Sequence, residues 1–317
     1  MTVTAQMVKE LRETTGAGMS ACKDALVAAD GDREKAIEYL REKGLAAAQK
    51  KSSRIASEGL VYAYISEDNS AGAIVEVNSE TDFVAKNQEF RGFVEQVARH
   101  AVKTGARNID ALLAEQWSSE GGGTIRDALT RKVAVIGENL NIRRFTRFVK
   151  GEGVLVSYIH GGGRVAVLLE LASDKDSEAV KEAGKNICMQ IAAMSPLFVK
   201  REDIPPEFID KEREILHAQA LNEEAEKPEH KRKAPEIINR MVGGRLEKEL
   251  KSFCLVDQEY VKDSELTVGK YLDAVGKEQG CAIAVKRFER FETGEGLEKK
   301  EENFAEEVSK VMNAQKA

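Results

Sequence analysis

The sequence predicts an α+β protein in which a helical N-terminal module precedes a duplicated core of antiparallel sheets and helices. Three observations predict this class. Apolar residues recur at helical spacing near the N-terminus, with glycines between the periodic stretches. Two similar stretches, GLVYAYI at 59–65 and GVLVSYI at 153–159, each precede a second apolar run and then a helix-like stretch. A long, highly charged helix-forming stretch follows a Pro-Pro pair at 205–206 and predicts an inserted helical hairpin.

Residues 1–45 predict a bundle of three short helices. The first two cover 3–14 and 20–29, and the third begins at the N-cap Asp32 and ends at Gly44. So small a bundle buries little core and suits an adaptor module better than a catalyst. The following stretch, AAAQKKSSRIASE at 46–58, predicts a linker that is helical in part. Its basic residues leave an RNA contact open, although a solvated linker is the preferred interpretation.

The core is predicted as two copies of one ββα unit. The first copy lies in the N-terminal core subdomain, 59–150, where a hairpin that begins at Gly59 leads into a helix that reaches about Lys103. The second copy lies in the first part of the C-terminal core subdomain, 151–204, where a hairpin leads into a helix at 177–194. The second strands also match, as IVEV and LLEL. Each sheet is expected to bury one face under its own helix. A helix at 125–136 and a strand at 141–149, with alternating apolar and basic residues, separate the two copies.

Three segments complete the predicted architecture. Residues 205–235, interrupted by Pro228 and Pro235, predict a projecting helical hairpin, which suits self-association or a partner contact. Residues 236–290 predict two helices and a strand that complete the second copy. Residues 291–317 predict a C-terminal helical module, in which Phe304, Val308, Val311 and Met312 recur at helical spacing.

Composition excludes several classes of function. The chain has 317 residues, a net charge of −6 and 6% aromatic residues. This acidic balance argues against a basic nucleic-acid or membrane-surface binder, and the few aromatic residues argue against a stacking platform for single strands. The four cysteines are widely spaced and predict buried thiols in a reducing compartment. The sequence shows neither a signal peptide nor a spanning apolar run, so we expect a cytoplasmic protein.

The sequence offers no catalytic constellation. The phosphate-loop pattern G-x-x-x-x-G-K-[ST], the HExxH zinc motif and the G-x-S-x-G elbow are all absent. The stretch His160-Gly-Gly-Gly resembles an oxyanion loop, but an esterase would also need the elbow. The glycines predict a hairpin turn, in which His160 is either a bystander or a contact residue. We therefore expect a non-enzymatic protein that acts by binding, without metal, cofactor or direct nucleotide binding.

One short stretch raises a question that spacing alone leaves open. In NSETDFVAKNQEF, at 79–91, Ser79 or Thr81 is an expected N-cap. Phe83 then falls on one helical stripe with Phe90, Val94, Val97 and Ala101, which is typical of core packing. Phe83 is therefore either the first core residue of a helix or an aromatic side chain presented to another molecule.

Three motifs resemble those of translation elongation factor Ts. They are LRETTGAGM at 11–19 followed by CKDAL at 22–26, TDFVAKN at 81–87, and IGENLNIRR at 136–144. The resemblance covers essentially the whole chain. It implies that the N-terminal bundle is UBA-like, meaning similar in fold to a ubiquitin-associated domain. One departure is Ser20, which stands where the family often has a second methionine.

The resemblance also implies a function, guanine-nucleotide exchange on elongation factor Tu, the GTPase that delivers aminoacyl-tRNA. It implies that Arg12 and Met19 dock on the GTPase domain and that Thr81, Asp82, Phe83 and Val84 disturb its Mg²⁺ and phosphate site. It further implies that His160 touches a distal domain of the GTPase. The predicted hairpin leaves a homodimer open. The alternative function is an interaction or chaperone-like protein built from the same modules, without exchange activity.

Overall fold

The N-terminal module is a three-helix bundle. The computed structural model describes residues 3–119 and 122–298, so the helix expected at 304–312 lies outside the described residues. Helices α1 (Ala5–Thr15), α2 (Met19–Ala28) and α3 (Arg33–Lys51) pack around a small apolar cluster that includes Leu11 and Leu26. Asp32 caps α3 as predicted, because its carboxylate accepts the N–H groups of Glu34 and Lys35.

Helix α3 continues past the predicted end at Gly44 and includes the first part of the expected linker. Gly44 is buried against a later helix, α7 (Ile125–Ile136), and a Cβ at Gly44 would lie 3.6 Å from the Cβ of Ala134. Packing of this kind offsets the intrinsic cost of a glycine within a helix, about 1 kcal/mol relative to alanine. A tertiary contact, invisible in the local sequence, therefore overrides the stop signal.

The first repeat contains a three-stranded antiparallel sheet in the order β1 (Glu58–Ile65), β2 (Ala71–Ser79), β3 (Asn141–Val149). Between β2 and β3 lie α4 (Asp82–Lys86), α5 (Gln88–Ala101), α6 (Ile109–Ala114) and α7. Helix α5 covers one face of the sheet and buries Phe90, Val94 and Val97 against it.

The second repeat has the same plan. Strands β4 (Val154–His160) and β5 (Val165–Ser173) are followed by α8 (Glu178–Met194), and the sheet order is β4–β5–β8. The third strand, β8 (Ile283–Glu292), arrives only after a long insertion. The two sheets pack face to face through residues such as Ile74 and Leu168. The predicted duplication and the α+β class are therefore confirmed.

The insertion contains the helical hairpin, but its second arm lies later than predicted. Helix α9 (Pro206–Ala225) packs antiparallel to α10 (Pro235–Phe253), so the arms extend beyond 205–235. Pro228 and Pro235 belong to the connection and to the first turn of α10, positions where proline fits because the helix needs no donor there. A small hairpin, β6 (Glu259–Tyr260) and β7 (Asp263–Thr267), and α11 (Val268–Gln279) lead to β8.

Two fully buried glutamates occupy matching positions in the middle strands of the two sheets. Glu76 on β2 accepts hydrogen bonds from Arg143 and Arg144, and Glu170 on β5 accepts hydrogen bonds from Lys286 and Arg287. Burial by itself raises the pKa of Glu170. The hydrogen bonds from Lys286, the Gly151 N–H and Arg287 outweigh it and lower that pKa below its ordinary value.

Each glutamate also contacts the opposite repeat. The Gly294 N–H, after β8, donates to Glu76 at 2.8 Å, and the Gly151 N–H, after β3, donates to Glu170 at 3.1 Å. In the same crossed pattern, Arg144 stacks on the ring of Phe291 and Arg287 on the ring of Phe148, each at 4.1 Å from the centroid. This reciprocal arrangement resembles a two-fold interface within one chain and fixes the two repeats relative to each other.

Candidate partner-binding site

The segment from Thr81 to Asn87, called the tip below, projects from the end of β2. Thr81 is the N-cap of α4, a helix of five residues. Asn87 then adopts an extended conformation (φ −69°, ψ 129°) and caps α5 with its own side chain. Because of this break, α4 and α5 do not form one continuous helix. Phe83 consequently leaves the stripe of Phe90 and Val94 that the sequence spacing predicts.

Phe83 is 78% exposed, while Phe90 is fully buried. The structure therefore excludes the core interpretation of Phe83, because an exposed ring does not contribute to the core. Beside it, Lys86 donates to the Asp82 carboxylate at 2.6 Å and lies 5.8 Å from the Phe83 ring centroid. The hydrogen bond from Lys86 lowers the pKa of Asp82, so the carboxylate is charged near neutral pH.

Val84 differs from its neighbours in the tip. It is 9% exposed and belongs to the core cluster of the first repeat. Val84 thus anchors the tip and offers no surface to a partner in this conformation. Of the four residues 81–84 that are expected to contact a partner, Val84 is the one whose side chain is buried in the free protein.

His160 lies at the end of β4, where the chain turns through three glycines with positive φ, Gly161 to Gly163. The His160 side chain is exposed, and its Nδ1 lies 3.0 Å from the Tyr158 hydroxyl. Arg91 on α5 joins this turn to the tip. Its Nη1 donates to the carbonyl of Gly162 at 3.0 Å and to that of Ala85 at 3.5 Å. The structure therefore brings the tip and the His160 turn together.

Arg12 and Met19 belong to the separate N-terminal module, and both side chains are exposed. Gly16, in a left-handed conformation, ends α1 between them and donates its N–H to the Arg12 carbonyl. The module is joined to the first repeat by an ion pair between Arg41 and Asp127 at 2.9 Å. A cavity of about 250 Å³ lies between the end of α1 and the start of α5, which follows the tip. The three candidate contacts thus form a distributed surface.

Metal-binding clusters, cysteines and membrane-spanning helices each bear on what the described residues can do. The part of the chain that the structure describes holds no group of three His, Cys, Asp or Glu side chains suited to a metal ion. All four cysteines are free, and three of them are buried. Among residues 3–119 and 122–298, no helix is long and apolar enough to cross a membrane. What the surface offers is an exposed aromatic ring with charged neighbours, which suits docking on another protein.

Sequence reasoning missed two residues that organise this surface, Arg91 and Glu138. Glu138, between α7 and β3, accepts hydrogen bonds from backbone N–H groups at the start of the tip. A partial signal existed for Glu138, which lies inside the motif IGENLNIRR just before β3. No local pattern identifies Arg91, because an exposed arginine on a helix is ordinary.

Comparison with known proteins gives one family. The family model described as Elongation factor TS matches residues 80–295. The chain is 54% identical over 310 residues to the elongation factor Ts of Clostridium botulinum (strain Eklund 17B / Type B), covering 98% of this chain and 99% of that protein. It is 51% identical over 314 residues to that of Clostridium acetobutylicum, covering 99% and 100%. Because the likeness spans both chains almost end to end, the chain belongs to the elongation factor Ts family.

Proposed function

We propose that this chain is the guanine-nucleotide exchange factor of elongation factor Tu and acts in the cytoplasm. It binds the GDP-bound GTPase, loosens the hold on Mg²⁺ and the phosphates, and so promotes GDP release and reloading with GTP. The observation that carries the proposal is Phe83, a 78% exposed ring on a short helix whose next residue is buried. A large apolar ring held in solvent gains free energy only when something covers it.

The mechanism needs no chemical step by this chain. A bound nucleotide leaves slowly because a phosphate loop and Mg²⁺ both grip its phosphates. A protein that binds only the loosened conformation weakens GDP binding by the same factor by which GDP weakens its own binding. A thousandfold effect corresponds to about 4 kcal/mol of coupling. The chain is therefore an exchange factor that needs no nucleotide, metal or cofactor of its own.

Phe83 and Asp82 supply different parts of that coupling. Burying the Phe83 ring between side chains of the partner yields about 2 kcal/mol and prises those side chains apart. Asp82 lies beside it as a charged carboxylate paired only with Lys86 within the tip. In the complex, Asp82 competes for donors that otherwise hold the Mg²⁺ site. Thr81 keeps the short helix capped beneath both residues.

The remaining proposed contacts bind other parts of the partner. In this proposal Arg12 and Met19 dock on the GTPase domain, and His160 contacts a distal domain. Separate contacts on one partner favour the conformation that satisfies all of them at once. This gives the tip the differential binding that exchange requires.

The test is the release of a fluorescent GDP analogue from purified elongation factor Tu, followed by stopped flow. We compare no addition, this protein, and the variant Asp82→Ala/Phe83→Ala at equal melting temperature. Strong acceleration that the variant largely loses supports the proposal. Acceleration that the variant retains removes the tip from the mechanism. If the protein causes no acceleration, the alternative of an interaction or chaperone-like protein replaces it.

We also propose that the hairpin of α9 and α10 mediates homodimer formation. Three large apolar side chains are exposed on it, Ile215, Leu221 and Ile237. Analytical ultracentrifugation of the protein and of Leu221→Glu/Ile237→Glu is the test. A dimer that the variant converts to a monomer supports the proposal, and a monomeric wild-type protein at micromolar concentration contradicts it.

A further inference from the structure

Glu138 holds the backbone at the start of the tip. It follows the helix terminator Gly137 and lies in the short connection between α7 and β3. One carboxylate oxygen, Oε2, accepts the N–H groups of Glu80 and Thr81, each at 3.0 Å. The other oxygen, Oε1, accepts the Thr81 hydroxyl at 2.7 Å. One side chain therefore satisfies three donors on two consecutive residues, and charged acceptors make such bonds stronger than neutral ones.

The contact is reciprocal. The Glu80 side chain reaches back, and its Oε1 accepts the Asn139 N–H at 2.6 Å. A third segment joins these contacts through Arg54, which follows α3. Its guanidinium pairs with Glu80 at 3.3 Å, and its carbonyl accepts the Asn139 side-chain amide at 2.8 Å. Segments far apart in sequence are thus tied together directly behind the tip.

These contacts matter because α4 is too short to be stable by itself. A helix of five residues is unstable in isolation, since nucleation costs more than so few hydrogen bonds return. Its cap is Thr81, whose hydroxyl accepts the Val84 N–H at 3.5 Å. By accepting the hydroxyl proton, Glu138 turns the lone pairs of Thr81 toward that N–H. The direction in which Phe83 points therefore depends on Glu138, although the two side chains do not belong to the same element.

We propose that Glu138 is a positioning residue of the exchange surface: it orders the tip before the partner binds, so that Phe83 is presented in its docking conformation. The inference rests on the proposed function for its consequence in exchange, but the ordering itself is a property of the free protein. Preorganisation of this kind raises affinity because the partner then does not bear the entropy of ordering the tip.

A matched control exists in the same repeat. Glu115 also accepts a threonine hydroxyl, that of Thr104, at 2.6 Å, and it contacts His100 at 2.7 Å. It holds the connection after α5 and makes no contact with the tip. Glu138→Gln and Glu115→Gln therefore each remove the negative charge and one acceptor oxygen from a carboxylate of the same kind, and only Glu138 contacts the start of the tip.

The first measurement is hydrogen exchange of individual amides in the full-length protein without any partner. We expect Glu138→Gln to accelerate exchange at Glu80, Thr81 and Val84 by about tenfold or more, and Glu115→Gln to leave these three amides unchanged. Unchanged protection of these amides in Glu138→Gln overturns the proposal. Should the glutamine variant fold poorly, Glu138→Asp keeps the charge, shortens the reach, and carries the same expectation.

The second measurement separates positioning from general stability. GDP release from elongation factor Tu is measured for Glu138→Gln, Phe83→Ala and the double variant, well below their melting temperatures. Glu138→Gln alone is expected to reduce the stimulation of GDP release roughly tenfold. If Glu138 acts through Phe83, adding Glu138→Gln to Phe83→Ala causes no further reduction. Full additivity overturns the positioning role. If the wild-type protein fails to stimulate release while Glu138→Gln still frees the tip amides, the proposed function falls and the ordering of the tip stands.

Discussion

Replacement of Phe83 by alanine is expected to separate the contribution of the tip to function from its contribution to stability. The ring is 78% exposed, and its loss leaves no internal cavity. We therefore expect the free energy of unfolding to change by no more than about 0.5 kcal/mol, as for other surface substitutions. Phe90→Ala is the matched control, since it removes the same side chain from a fully buried position seven residues later in the chain.

Phe83→Ala should reduce affinity for the partner without reducing stability, and Phe90→Ala should reduce stability. Burial of a whole phenylalanine side chain contributes about 1.5–3 kcal/mol, so covering the exposed part of Phe83 contributes about 2 kcal/mol, or roughly thirtyfold in affinity. Phe83→Ala should lose about this much affinity for nucleotide-free elongation factor Tu and keep its melting temperature. Phe90→Ala should lose about 3–5 kcal/mol of stability through the cavity it creates.

Two assays decide the outcome. Chemical denaturation gives the free energies of unfolding, and titration calorimetry with nucleotide-free elongation factor Tu gives the affinities at a temperature where both variants are folded. If Phe83→Ala lowered stability by 3 kcal/mol or more, the ring would be a core residue and the exposure argument would be refuted. If it lowered neither quantity, Phe83 would not be a contact at all.

Three further predictions concern other parts of the described structure. Glu170→Gln should lower the free energy of unfolding by about 3 kcal/mol near neutral pH, because it breaks a buried ion pair. The folded-state pKa of Glu170 is depressed, so this loss should persist at pH values above the ordinary pKa of about 4.5 and shrink as the pH falls through the folded-state pKa. Denaturation at several pH values measures it. Gly163→Ala should lower the free energy of unfolding by about 1–3 kcal/mol, because Gly163 has a φ of +107° and a Cβ there would lie 2.6 Å from the Leu60 side chain. Thermal melting followed by circular dichroism measures this loss. Arg91→Ala should abolish the energetic coupling between Phe83 and His160, so that a double-mutant cycle on affinity becomes additive, and persistent coupling would show that Arg91 does not connect the two surfaces.

Much of the candidate site follows from short stretches of sequence, but only through resemblance. The motif TDFVAKN marks the tip, and LRETTGAGM marks the exposed Arg12 and Met19. Physical reasoning from spacing left Phe83 undecided, because a stripe drawn from Phe83 to Ala101 assumes one continuous helix. Asn87 ends that continuity with an extended ψ of 129°, and helical periodicity does not register a single residue of this kind.

The sequence by itself determined the type of most elements and the duplication of the core, but it missed α6 and the β6–β7 hairpin. Such information is local: apolar periodicity sets helix or strand, and glycine or proline ends it. Only the tertiary structure decided that α3 continues through Gly44, that α10 is the second arm of the hairpin, and that Val84 anchors what Phe83 presents. The same holds for the pairs Glu138–Thr81 and Glu76–Gly294, whose partners are separated by 57 and 218 positions. Contacts over such separations depend on how finished elements pack, and no window of sequence contains both partners.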